Sequence, residues 1–372
     1  MKTDIIVVGG YGHVGGQICK LLSASYFGNV YAAGRSLERA EAFCSRLGGG
    51  VKPLVIDAEK PISRQQLERV KLVIMCLDQT AADFAKACLK AGADYMDVSA
   101  NGRFFEAMEQ VKQQKEEVDG TALLSVGLAP GLTNLLVLKS MQALEEVTRA
   151  DIGIMLGLGD THGKAAIEWT VNSLGATFDI TEEGRTRKAD SFTEGIKTDF
   201  GDGWGTRTAY RFPFSDQQTL PKTLGMPTIS TFLCFDSRIA TVLIAWLRKA
   251  GFVRFMTCSP LKKLMIHSLG KLRFGSEGFA VKVAGYGKLD GTATMAEFGL
   301  QGEKEADITA AVAAAAAKLM YENKLPKGIF HIEQLFELDL MDDGITLRLT
   351  HYEGTGSHVV IPSIQSWSRM QS

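Results

Sequence analysis

Through the first third of the chain, short apolar runs alternate with stretches of helical spacing. The runs cover residues 5–8, 30–33, 53–56, 72–76, 95–98 and 122–126. Between the first pair, Val14, Ile18, Leu21 and Leu22 fall on one helix face, and Leu37, Ala40, Cys44 and Leu47 do so between the second. Apolar strands alternating with amphipathic helices predict a parallel sheet covered on both faces. Right-handed crossovers make it doubly wound.

The rhythm changes after Pro130-Gly131. Residues 133–144 read as a helix and 148–156 as a strand, followed by a glycine-rich loop at 157–163 and a helix from Lys164. Residues 181–230 are polar and punctuated by Gly and Pro, so they are expected to be loop-rich. Runs 279–286 and 292–300 flank Asp290-Gly291, and 336–341 and 345–352 flank Asp343-Gly344, two antiparallel hairpin signals. The alanine-rich stretch 304–323 between them is strong helix. The expected organisation is an α/β domain over 1–131 and an α+β domain with a mixed or antiparallel sheet over 132–372. The helix near 305–322 is expected to pack back on the first domain.

Composition narrows the class. A chain of 372 residues suits two cores rather than one. With 45% apolar and 22% charged residues it can bury both without disulfides or metals. A formal net charge of -1 provides no global field for nucleic acid or an anionic membrane, so neither is expected as a partner. Met1-Lys2-Thr3-Asp4 runs into a strand pattern without the shape of a signal peptide. The most apolar helical stretch, 239–247, is about half the length that spans a bilayer. Cys19, Cys44, Cys76, Cys88, Cys234 and Cys258 show no paired spacing, so reduced thiols and a cytoplasmic setting are expected. His267, His331, His351 and His358 lack metal-ligand spacing, and no catalytic metal is expected.

The chemistry begins at the first turn. Strand 5–8 is followed by Gly10-x-Gly12-x-x-Gly15, with Tyr11, His13 and Val14 filling the pattern. In a dinucleotide site the first glycine permits the tight turn and the second lets a pyrophosphate reach the backbone. The third lets helix pack on strand. The pyrophosphate then rests on the uncapped N–H groups and positive dipole end of the helix from His13. The pattern follows a first strand and opens an amphipathic helix, the context that identifies a Rossmann domain.

The end of the second strand bears on the cofactor. An NAD site offers a carboxylate there for the ribose 2′-OH, whereas this chain reads Ala32-Ala33-Gly34-Arg35-Ser36. A guanidinium beside a hydroxyl suits a 2′-phosphate, and Arg39 one turn on adds charge. NADP(H) is therefore preferred, with NAD(H) the alternative; Ser36 equally reads as a helix N-cap. Asp57 suits the adenine amino group or a cap of its own loop. Asp78 sits where the chain passes the nicotinamide ribose, or caps a helix from Thr80. Gly127 and Pro130 follow the sixth strand, beside the nicotinamide or as a hinge.

The assembled pattern resembles the saccharopine dehydrogenase-like family of NAD(P)-dependent oxidoreductases. The residues that carry the likeness are Gly9-Gly10-Tyr11-Gly12-His13-Val14-Gly15, Gly34-Arg35-Ser36, Asp94-Tyr95-Met96-Asp97-Val98-Ser99 and Gly127-Leu128-Ala129-Pro130-Gly131-Leu132. The resemblance implies hydride exchange between a nicotinamide and a carbon–nitrogen bond of an amino-acid-like or polyamine-like small molecule. It also implies a second domain that covers the nicotinamide and often mediates a homodimer. Such chemistry needs one proton-handling group and a grip on a substrate carboxylate. His162, in a polar loop, titrates near neutrality and is the first candidate; the alternative is a helix-start histidine. Asp97 and Ser99 end strand five, where they bind an amine or form an Asx turn. Arg207 and Arg211 flank Tyr210 and suit a carboxylate clamp. An NADP(H)-binding sensor or scaffold without turnover, or an NAD-dependent enzyme of the same fold, are the competing readings.

Overall fold

The first strand, β1 (Asp4–Val8), buries all five of its residues, as a strand covered on both faces must. From it the chain runs through α1 (His13–Ser23), β2 (Val30–Gly34), α2 (Leu37–Cys44), β3 (Val51–Val55) and β4 (Val70–Met75). It continues through α3 (Asp83–Lys90), β5 (Asp94–Asp97), α4 (Gly102–Gln113) and β6 (Thr121–Leu124). Helical spacing decides what each helix buries: Phe84, Ala85, Cys88 and Leu89 on α3, and Phe104, Phe105, Met108 and Val111 on α4. These join Val73, Met75 and Tyr95 in one core. Each large apolar side chain so enclosed contributes about 1.5–3 kcal/mol.

The computed structural model describes residues 2–160, 164–251, 275–350 and 358–371, and the chain divides into two units. The second unit starts with α5 (Thr133–Gln142), β7 (Glu146–Leu156), α6 (Lys164–Ser173), β8 (Thr177–Glu182) and β9 (Arg185–Asp190). Next come β10 (Gly195–Asp199), β11 (Thr206–Arg211), α7 (Asp216–Thr223), β12 (Ile229–Phe235) and α8 (Arg238–Lys249). The hairpin β13 (Gly278–Leu289) and β14 (Thr292–Glu303) follows, as the turn at Asp290-Gly291 leads one to expect. The loop-rich expectation for 181–230 does not hold, because β9 to β12 and α7 occupy that stretch. On β11 only Ala209 and Arg211 are buried, so the strand writes no apolar run into the sequence.

Residues Ala306–Phe336 belong again to the first unit. They include nearly all of α9 (Glu305–Glu322), then β15 (Gly328–His331) and α10 (Ile332–Leu335). Asp307 at the start of α9 accepts from Gln17 Nε2 at 3.2 Å, and the Tyr321 hydroxyl near its end donates to the Thr3 carbonyl at 3.1 Å. The first sheet is ordered β3-β2-β1-β4-β5-β6-β15 with every pairing parallel. The chain therefore winds outward twice from β1, and the direction reverses between β1 and β4. In open α/β sheets the crevice at the carboxyl ends of such strands is where ligands bind.

β16 (Phe336–Met341), β17 (Gly344–Leu349) and β18 (His358–Pro362) make a small sheet in that order. β19 (Gln365–Gln371) completes the second unit's seven-stranded sheet, β10-β11-β12-β7-β13-β14-β19. That sheet is mixed, since β12 runs parallel to β7 while β13 runs antiparallel to it. No helix among the described residues is long and apolar enough to cross a membrane.

Candidate functional site

The turn leaving β1 assigns its three glycines different environments. A Cβ at Gly10 would stand 2.6 Å from the Val7 carbonyl oxygen and 2.7 Å from Ala32 Cα. One at Gly15 would collide with the Gly9 carbonyl, so this glycine lets α1 lie against the turn. At Gly12 the added carbon would meet only the Gly9 carbonyl oxygen, at 3.0 Å, and otherwise enter open space. Gly12 is exposed and caps α1 without any side-chain hydrogen bond, and no acid occupies the first turn. An uncapped helix start with bare backbone in front of it is what a diphosphate requires. His13 beside it is exposed and Val14 half-buried.

Tyr11 bridges this turn to the end of β2. Its hydroxyl accepts from the Ser36 amide at 3.1 Å, and its ring lies against Gly34, where a side chain would collide with it. Arg39 stacks over the same ring, its guanidinium carbon 5.1 Å from the centroid. Ser36 caps α2, accepting from the Arg39 amide at 3.3 Å, so its N-cap reading holds in the structure. Arg35 is exposed and stands next to this cluster in the chain. The Arg39 guanidinium, the Ser36 hydroxyl and Tyr11 thus gather, with Arg35 next to them in the chain, where the adenosine end of a dinucleotide lies in this fold. Asp57 accepts from the Glu59 amide at 3.2 Å and pairs with Lys60 at 3.4 Å, which makes it the cap of its own loop.

A second cluster forms at the carboxyl ends of β4 and β5. Asp97 is wholly buried. Its Oδ1 accepts from the Ser99 amide at 2.9 Å and from the Ser99 hydroxyl at 2.5 Å. The Tyr95 hydroxyl donates to Gln79 Oε1 at 2.7 Å and lies 3.5 Å from Asp97 Oδ2. Burial pushes the Asp97 carboxyl up to about 7 against the lowering by Ser99, and the nearby Asp78 carboxylate adds to the rise. Desolvation likewise raises Asp78, although the residue is exposed. Cys76 is also raised, by burial and then by Asp97. Asp78 does not cap a helix from Thr80: α3 begins at Asp83 with Ala82 as its cap, and Ala82 has no side-chain oxygen to offer.

Three partners in this cluster were not among the candidate site residues: Tyr95, Gln79 and Cys76. The signal for the first was present, since Tyr95 and Asp97 stand two apart on β5 and share one strand face. Gln79 and Cys76 come from the neighbouring strand end, which one-strand periodicity does not report.

After β6, Gly127 faces Thr309 on α9, and the Leu128 amide donates to the Thr309 hydroxyl at 3.3 Å. Pro130 is buried. The Ser125 hydroxyl and His331 Nδ1 lie 2.7 Å apart inside this unit. In the second unit, Arg211 is buried and bonded to Glu194 at 2.6 Å, while Arg207 is half-buried and bonded to backbone carbonyls. His162 lies outside the described residues. Among the described residues no cluster of His, Cys, Asp and Glu is placed to hold a metal ion.

Residues 5–123 match the family model described as the saccharopine dehydrogenase NADP binding domain. No curated protein matches the sequence. Among solved structures, the chain is similar to apo histidine-tagged saccharopine dehydrogenase (L-Glu forming) from Saccharomyces cerevisiae. The TM-score is 0.65 and the identity 12%, over 88% of this chain and 94% of that one. At that identity the likeness concerns the fold. The chain is also similar to C. glutamicum DAP dehydrogenase in complex with DAP, at a TM-score of 0.43 and 13% identity, over 89% and 93% of the two chains. That score is too low to reason from.

Proposed function

We propose, on the match of residues 5–123 to the saccharopine dehydrogenase NADP binding domain, that the chain is an NADP(H)-dependent oxidoreductase that moves a hydride at a carbon–nitrogen bond of a small amino-acid-like or polyamine-like molecule. The turn from Gly10 to Gly15 holds the diphosphate, and Arg35, Ser36 and Arg39 hold the 2′-phosphate against Tyr11. Asp78, Gly127 and Pro130 line the way to the nicotinamide at the carboxyl edge, and Asp57 braces the loop beside the adenine. The bound nicotinamide supplies or accepts the hydride.

What remains for the protein is one proton, and Asp97 is the group suited to it. Its Oδ1 is occupied by the two donors of Ser99. The Tyr95 hydroxyl hydrogen goes to the shorter bond with Gln79, which leaves Asp97 Oδ2 as the oxygen that takes up and releases the proton. A carboxyl at about 7 is half-protonated at neutrality, so it serves in either direction. This buried, neutral-range carboxyl at the end of β5 is the observation that carries the proposal. His162 is the other proton-handling candidate and stands on its sequence context alone.

One observation favours a second reading, a sensor that binds NADP(H) without turnover: Asp97 has no exposed surface. Stopped-flow NADPH oxidation over a panel of keto acids with amines separates the two. Consumption that falls at least about tenfold in Asp97→Asn supports the enzyme. Tight binding with no consumption across the panel supports the sensor.

A further inference from the structure

The second unit contains a cavity of about 360 Å³ between the ends of β10, β11 and β12 and the first turns of α8. Lys197, Arg207 and Arg238 all line it, together with Thr208, Phe235 and Val242. Three cations around one hollow give it a positive potential, which solvent screens in part because Lys197 and Arg238 are exposed.

Two of the three are bonded to neutral groups. Arg207 is held by neutral carbonyls, with Nη1 donating to Asp236 O at 2.5 Å and Nε to Trp204 O at 3.1 Å. Arg238 Nη2 donates to Thr206 O at 3.2 Å, again a neutral acceptor. Asp236 follows Phe235 directly and keeps its negative charge, but its oxygens bond to other groups, so it offsets at most one of the three cations. Oδ1 accepts from the Leu158 and Ser237 amides at 3.1 and 2.9 Å, and Oδ2 from the Ser276 amide and hydroxyl at 2.5 and 3.0 Å. Glu194 is taken by Arg187 and Arg211, and Asp199 by Arg369. Among the described residues, no carboxylate pairs with any of the three cations. The backbone bonds fix the two guanidiniums in place while leaving their charge unspent, which lowers the ordering cost of gripping an oxyanion. Phe235 and Val242 add an apolar wall.

We infer that this cavity binds a small organic oxyanion, a carboxylate or phosphate on a short apolar body, gripped by Lys197, Arg207 and Arg238. The volume falls at the small end of ligand pockets, roughly 300–1,000 Å³, which sets a metabolite rather than a macromolecule as the occupant. Arg207 acts here with Lys197 and Arg238, not with Arg211, whose guanidinium is engaged by Glu194. The inference does not rest on the redox reading, and its test reads neither hydride nor proton transfer.

The full chain is titrated calorimetrically with succinate and, separately, with inorganic phosphate, for the wild type, the Lys197→Gln/Arg238→Gln pair and Val242→Trp. The expected result is a single site for one or both probes, weakened by about tenfold or more in the charge variant. Val242→Trp changes no charge but fills the hollow from an exposed position on α8, and it should weaken the same site by about tenfold or more. Circular dichroism and NADPH affinity should match the wild type in both variants, which shows that each folds. Preference for succinate or phosphate identifies the headgroup. Absence of binding by either probe overturns the inference. So does binding that survives Val242→Trp, because it then belongs to dispersed surface charge or to the nucleotide turn.

Discussion

The Ser99 hydroxyl donates to Asp97 Oδ1 at 2.5 Å, and the Ser99 amide reaches the same oxygen at 2.9 Å. Both bonds favour the carboxylate, yet burial outweighs them and lifts the group from 3.8 to about 7. The folded chain therefore binds this proton more tightly than the unfolded chain does. The stability it contributes is complete below about pH 4 and is lost as the pH rises through about 7, with an upper bound of about 4 kcal/mol. Asp97→Asn keeps the shape of the protonated form and should remove that decline. Urea unfolding of both proteins near pH 4.5 and pH 7.5 checks the sign. A variant as steep as the wild type across that window would place the titration elsewhere.

The glycines of the first turn should respond in opposite ways. Gly15→Ala and Gly10→Ala put a carbon into backbone, at the Gly9 carbonyl and at Val7 O, so each should destabilise the unit by about 2 kcal/mol or more. Gly12→Val meets only the Gly9 carbonyl oxygen, at 3.0 Å, and should fold with a smaller loss of stability than either. It should nonetheless lose NADPH by about a hundredfold, because the side chain occupies the place of the diphosphate. Fluorescence titration beside thermal unfolding separates the two behaviours. Undiminished NADPH uptake by folded Gly12→Val would remove the basis for the whole assignment.

Arg35 and Arg39 should decide between the two nicotinamide cofactors. Charge-assisted bonds to a phosphate contribute about 1.5–3 kcal/mol each, so Arg35→Ala should weaken NADPH by roughly tenfold to a hundredfold. NADH, which has no phosphate at that position, should be affected by less than about threefold. Tyr11→Phe removes the acceptor for the Ser36 amide and should shift NADPH in the same direction by a smaller factor. Equal losses for both cofactors in Arg35→Ala would show that the guanidinium does not read the 2′-phosphate.

How much of this was legible in the chain depends on where each signal is written. A strand enclosed on both faces, such as β1, spells its burial as an apolar run, here Ile5 to Val8, and the turn after it spells its ligand in glycine. β11 encloses only Ala209 and Arg211 among six residues, so its polar face reads as loop. Sheet partners distant in sequence are silent as well. β19 pairs with β14, matching Gln301 with Gln365, and nothing local marks either residue. At the candidate site, a place at the carboxyl end of strand five was enough to name Asp97 and Ser99. The depth that raises Asp97 comes from other elements, including Phe84 on α3 and Phe104 on α4 in the same core as Tyr95. Likewise Ser36 announced a helix cap, but the hydrogen bond its amide donates to the Tyr11 hydroxyl spans 25 residues and appears only in three dimensions.

The second unit's sheet carries an ion pair that should behave as a specificity device rather than a source of stability. Lys282 on β13 pairs with Glu297 on β14, with side chains only 11% and 3% exposed. Arg369 on β19 approaches the same carboxylate at 3.8 Å, and Gln371 Nε2 donates to it at 3.1 Å. Desolvating two charges costs nearly what their attraction returns, so the pair as a whole contributes little. Removing one partner is different. Glu297→Leu leaves the Lys282 ammonium buried without its counter-charge and should cost about 3–5 kcal/mol. Replacing both, as Lys282→Met with Glu297→Leu, should recover most of that loss, since two apolar side chains can fill the same space. A double variant no more stable than Glu297→Leu alone, measured by urea unfolding, would show instead that the charges are needed to hold β13 and β14 in register.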